Sequence, residues 1–304
     1  MSGADLEKLR LQIISAQSVP HEKVENLLHT CSELQQSDRR TLAFYLTRCD
    51  ADGFREDELI DFLLNQMVTY VLGKSDYNEI KADDARRVVL AAKETFQQTE
   101  GSGEAGELLL YVLLESRGII QLYSKMDLKT SAGMPFHGYD AIHLEAGQSV
   151  VLHFGHAKTY ASFSAGLNSA LGDIERFGKN RAQKNRELRL VSKNLDKVKF
   201  GESAKYIQKM IDPYEKHKEN YAEADSVFIG AEFPFTSEAE HTRGPELDEL
   251  MVKEYQQLVE DIAETVKSAV EAKTEVRDRT LLFLILPITD VETFRKRFTE
   301  ELSR

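Results

Sequence analysis

Two β-prone runs, "YDAIHLE" (139–145) and "SVVLHFGHAK" (149–158), are separated only by "AGQ", and this hairpin signal constrains the chain more than any other stretch. Alternation puts His156 and Lys158 on one face with Leu152 and Phe154 and sends His153 to the other. A three-residue loop at 146–148 pairs Glu145 with Ser149 and Asp140 with Phe154, which places Asp140 on the face of His156 and Lys158. A two-residue loop sends Asp140 to the opposite side. The strand is expected to end at His156-Ala-Lys158. Upstream, "ELLLYVLLESRG" (107–118) reads as an apolar helix opened by Glu107 and closed by Gly118. Downstream, "SFSAGLNSALGDIERFG" reads as a helix with small residues on one side, suited to close packing on a sheet.

Residues 4–72 read as helices, on the spacing of "DLEKLRLQIISA", "VENLLHTCSEL" and "EDELIDFLLNQMVTYVL", and "KADDARRVVLAAKETFQQT" continues the pattern. Later strands are "SVFIGAEF" (226–233) and "TLLFLILPI" (280–288), with an amphipathic helix over 246–272 between them and "DVETFRKRFTEEL" closing as a helix. The expectation is an α/β (α+β) fold. A helical N-terminal region occupies 1–98, and 99–304 holds a mixed sheet flanked by helices. No apolar run reaches the roughly 18 residues of a membrane span. "MSGADLEKLR" lacks the layout of a signal peptide, and Cys31 and Cys49 are too few for a disulfide framework. A cytoplasmic protein with reduced thiols and no membrane segment is expected.

A net charge of −12 argues against a surface that coats nucleic acid indiscriminately. Charge is uneven, however: Lys179 to Lys209 contains ten Lys or Arg against three acids, a strip suited to touching a polyanion at one place. Two motif-like strings are decoys. "DADGFREDEL" (50–59) puts Arg48 and Leu59 where a calcium loop needs its first and twelfth ligands, and "GKS" (73–75) lacks the upstream glycine of a P-loop, Val68 standing there. Four histidines, 137, 143, 153 and 156, crowd one region, but strand parity separates His153 from His156.

An Asp at 140, a second ligand two residues before Lys158, and a helical Glu107 match the needs of metal-assisted phosphodiester hydrolysis. Carboxylates hold a hard divalent ion that polarises a phosphate oxygen, and a lysine orients water or offsets charge. The strings "GEAGELLLYVLLESRG", "QLYSKMDLKT", "HGYDAIHL", "FGHAKTY" and "LLFLILPI" resemble, in order and wording, the HamA family, the nuclease subunit of Hachiman anti-phage defence, over roughly 50–300. The resemblance implies a restriction-endonuclease-like fold of the PD-(D/E)xK type, a metal-dependent DNA nuclease using Mg²⁺ or Mn²⁺, and a helicase partner. It carries Glu107, Asp140 and Lys158 over as matching positions. Position 156 departs, with His where the family pattern has Glu. Three explanations stand: His156 ligates the ion with Asp140 and Glu107, a carboxylate of the next helix (Asp173 or Glu175) takes the lost place, or the site is degenerate and the subunit binds DNA or docks on the helicase without cleaving. The basic strip, with Lys179, Arg181, Lys184 and Arg186 at its start, is the expected DNA contact.

Overall fold

The computed structural model describes residues 3–50, 53–79, 85–96, 103–123, 138–215, 221–235 and 245–304. Helices α1 (Gly3–Ala16) and α2 (His21–Glu25) lead into strands β1 (Leu28–Ser37) and β2 (Arg40–Thr47) and a small hairpin, β3 (Cys49–Asp50) with β4 (Gly53–Phe54). Helices α3 (Glu56–Glu79), α4 (Ala85–Thr95) and α5 (Glu104–Ser116) follow, then β5 (Ile120–Gln121), β6 (Ala141–Ala146) and β7 (Val150–Ser162). The remainder is α6 (Phe163–Lys179), α7 (Arg181–Lys193), α8 (Lys197–Phe200), α9 (Ala204–Ile211), β8 (Ala222–Glu232), α10 (Pro245–Glu271), α11 (Thr274–Arg277), β9 (Thr280–Pro287) and α12 (Val291–Ser303).

A seven-stranded mixed sheet runs in the order β1-β2-β9-β8-β7-β6-β5. Its centre, β2-β9-β8-β7, is parallel, and β1, β6 and β5 are antiparallel additions. A central parallel strand is covered on both faces and so needs an unbroken apolar run, which "TLLFLILP" supplies. Leu282, Leu284 and Leu286 meet α3, α5 and α12, whereas Leu281, Phe283 and Ile285 meet α6 and α10. The β5–β7 end packs its other face on α1, α7 and α9 through Ile142, Leu144, Leu152 and Phe154. Gly118, at φ 76°, ends α5 in the left-handed region that a side chain disfavours, as its place after the apolar run predicts.

Three sequence expectations are corrected. Residues 28–47 form a β hairpin that joins the sheet through β2 and β9, not helices. "VENLLHTCSEL" spaces its apolar residues by three and four because α2 ends at Glu25 and a bulge between Thr30 and Ser32 breaks the alternation of β1. Second, β7 runs past Lys158 to Ser162, so His156 sits inside a strand rather than near its end. Third, the hairpin loop has three residues but lies at 147–149, pairing Glu145 with Val151 and Ala141 with Gly155. One further step sets Asp140 opposite His156 rather than Phe154, an even shift that preserves parity. The "GKS" string lies within helix α3, and part of the calcium-like string, with His137, lies outside the described residues.

Candidate functional site

Helix α5 is apolar along nearly its whole length because it is buried, and Glu107 in its first turn is the half-buried exception. The Tyr70 hydroxyl of α3 donates to Glu107 Oε2 at 3.2 Å. Asp140 stands just before β6. Its N–H donates to Gly155 O at 3.0 Å, and its Oδ2 accepts the Ala157 N–H at 2.8 Å. The carboxylate thus replaces a backbone acceptor at the end of the β6–β7 ladder. Gly155 permits this closeness, since a Cβ there would lie 2.6 Å from Ala141 Cβ and 2.8 Å from Leu110 Cδ2.

Glu107 and Asp140 feel each other. Burial, then the Glu107 charge, pushes the Asp140 carboxyl up to about 6, against the Ala157 hydrogen bond and the charges of His156 and Lys158. All four expected catalytic residues therefore fall within one electrostatic neighbourhood. They are not equally available. Lys158 Nζ pairs with Asp173 Oδ2 at 2.7 Å, and Asp173 also takes Arg176 at 2.8 Å. Glu175 is turned to Lys179 and Lys273, away from this group.

His156 is 1% exposed and committed elsewhere. Its Nε2 lies 3.3 Å from Asp225 Oδ1, and Asp225 Oδ2 accepts from Arg279 Nε. Burial raises the Asp225 carboxyl, but the hydrogen bond and charge of His156 and the charge of Arg279 outweigh it and hold the group below the usual carboxylate range. The imidazole is walled by Tyr139 at 5.5 Å and Phe177 at 6.1 Å between ring centroids. Tyr139, beside Asp140, is fixed by its N–H donating to Glu187 Oε2 at 3.1 Å, and burial pushes the Glu187 carboxyl up to about 7. Asp225, Arg279, Glu187 and Tyr70 were not singled out from the sequence. One signal was present: an acid directly before the apolar run "SVFIG" of a central strand demands a buried partner.

As parity required, His153 faces the other way, its Nδ1 2.9 Å from Ser226 Oγ and its Nε2 3.0 Å from Glu145 Oε2. Among the described residues no three His, Cys, Asp or Glu side chains are grouped to hold a metal ion, so the expected trio of Glu107, Asp140 and His156 is not assembled. What the chain does present is a pair of mutually repelling, half-buried carboxylates, Glu107 and Asp140. This donor set suits a hard divalent ion, which takes one or two carboxylates and fills its remaining positions with water and phosphate oxygens.

Of the expected DNA contacts, Lys179 pairs with Glu175, and Lys184 pairs with Glu223 while lying 4.5 Å from the Phe154 ring centroid. Arg181 and Arg186 are exposed. The HamA family model matches residues 22–302. The chain belongs to the HamA family. HamA membership makes it a component of Hachiman anti-phage defence and places Glu107, Asp140, His156 and Lys158 inside the matched span, which leaves out residues 1–21 and 303–304. No curated protein matches the chain. Among the described residues of this HamA chain, no helix is long and apolar enough to cross a membrane.

Proposed function

We propose that this HamA chain is a divalent-metal DNA nuclease that works with a helicase partner in its defence system, on a restriction-endonuclease-like sheet. One observation carries the reading: burial and then the Glu107 charge raise the Asp140 carboxyl to about 6, and the Lys158 charge acts on the same carboxyl in the opposite sense. A like-charge pair held by the fold at a cost to stability is the condition a bound cation relieves. Glu107 and Asp140 would hold Mg²⁺ or Mn²⁺, with Tyr70 and the Ala157 N–H fixing the two carboxylates. When bound, such an ion would supply Lewis-acid polarisation of a phosphate oxygen. Lys158, once turned from Asp173, brings a positive charge toward the phosphodiester.

Plasmid degradation by the purified chain with its helicase partner tests this. Asp140→Asn and Lys158→Ala are each expected to lower the rate by at least about 100-fold, the scale of losing one transition-state contact. Undiminished cutting without Lys158 removes it from the catalytic set. A second reading has its own support. With His156 closed onto Asp225 and Lys158 paired with Asp173, the chain serves as a DNA- or helicase-binding subunit that does not cut. No cleavage with Mg²⁺, Mn²⁺ or the partner present favours that reading.

A further inference from the structure

The outer face of α7 carries cations that the core does not use. Glu187, Leu188, Val191 and Ser192 are buried, whereas Arg186, Arg189 and Lys193 are exposed along one helical stripe. Helix α9 is clasped to α7: Gln208 Nε2 donates to Ser192 O at 2.8 Å and Ser192 Oγ donates to Gln208 O at 3.2 Å. The chain neighbours of this clasp, Lys193 and Lys209, are both exposed, and Lys205 is exposed one turn before Lys209. Just beyond α9, Tyr214 is 66% exposed, and the Arg189 guanidinium lies 5.0 Å from its ring centroid. Asp212, which accepts the Tyr214 N–H at 2.9 Å, and exposed Glu215 are the acids of that turn.

Among the described residues, none of Arg186, Arg189, Lys193, Lys205 and Lys209 has a carboxylate within ion-pair reach. In a chain of net charge −12 this is a concentration of unneutralised cations, in contrast to Lys179 and Lys184, which are paired. A large aromatic ring left in water with a guanidinium stacked on it forms a flat platform among charges. A duplex keeps its bases inside, whereas a single strand offers both phosphates and unstacked bases to such a surface. We infer that the α7–α9 face binds single-stranded DNA, its cations along the backbone and Tyr214 stacking on a base. The inference rests on the proposed DNA-directed function for the choice of polyanion and on none of its metal chemistry. The face adjoins the candidate site: Glu187 on the inner side of α7 accepts the N–H of Tyr139, next to Asp140.

Fluorescence anisotropy of a labelled oligo-dT with the full chain in EDTA excludes cleavage, so failure of the nuclease reading leaves the test intact. Combined Arg189→Glu, Lys193→Glu and Lys209→Glu is expected to weaken binding at least about tenfold and to flatten the log-affinity against log-salt slope by about 2. Tyr214→Ala is expected to weaken single-strand binding about five- to tenfold with the slope unchanged and to spare a duplex of equal length. All four positions are exposed, so both variants should melt with the native chain. Unchanged affinity in the charge-reversed protein overturns the inference, as does equal loss on duplex and single strand in Tyr214→Ala. Intact DNA binding with lost co-purification of the helicase would instead make the face a protein interface and overturn it too.

Discussion

At the C-terminal end of α5, Glu115 is wholly buried yet fully matched. Its Oε1 accepts from Gln121 N at 2.9 Å and Lys199 Nζ at 3.1 Å, and its Oε2 accepts from Ser18 N at 2.8 Å. Two turns earlier on the same helix, Glu107 is half-buried, takes the Tyr70 hydroxyl, and faces a second carboxylate. One end ties α8, β5 and the turn after α1 to the core. The other sets two half-buried carboxylates against each other. Helix burial alone does not separate the roles; the charge of the neighbour does.

Breaking the matched end should have the largest effect on the fold. Glu115→Ala leaves Lys199 buried without its counter-charge and is expected to cost about 4 kcal/mol, read as a lower denaturant midpoint at unchanged slope. His156→Glu tests the closed network across the sheet. It puts a carboxylate against Asp225 and should cost about 2 to 3 kcal/mol, with partial recovery when Asp225→Asn is added because Arg279 then meets one anion. Increased stability of the single variant would show that Asp225 does not constrain position 156. The smallest effect should come from the strained end: Glu107→Gln relieves repulsion and is expected to stabilise by about 0.5 to 1 kcal/mol. Mn²⁺ should raise the melting temperature of the native chain and not of that variant.

The site hairpin was legible because both its strands alternate and its short loop leaves few registers. Helices α5 and α6 and the strands read at 226–233 and 280–288 were legible through long, consistent periodicity, although the first strand begins at Ala222 and so takes in Asp225. The hairpin at 28–47 was not, because the bulge in edge strand β1 gives its apolar residues a helix-like spacing. The partners of His156 were hidden for a different reason. Its partner Asp225 comes from β8 and Arg279 from the turn before β9, and only the parallel pairing of those strands brings them together. The likeness to HamA marked position 156 as a departure, but the side chains that hold His156 lie far along the chain.

The insertion of β9 between β2 and β8 also bears on how the protein is made. Arg40 must wait for Leu281 before its strand gains its parallel neighbour, so the sheet cannot close until a ribosome has delivered almost all of the polypeptide described here. Until then the β1–β2 hairpin lacks its partner, and when "TLLFLILP" emerges it must slot between two strands already standing. Such long-range closure is slow and leaves adhesive strand edges open during synthesis, which makes chaperone supply and growth temperature the natural controls on yield.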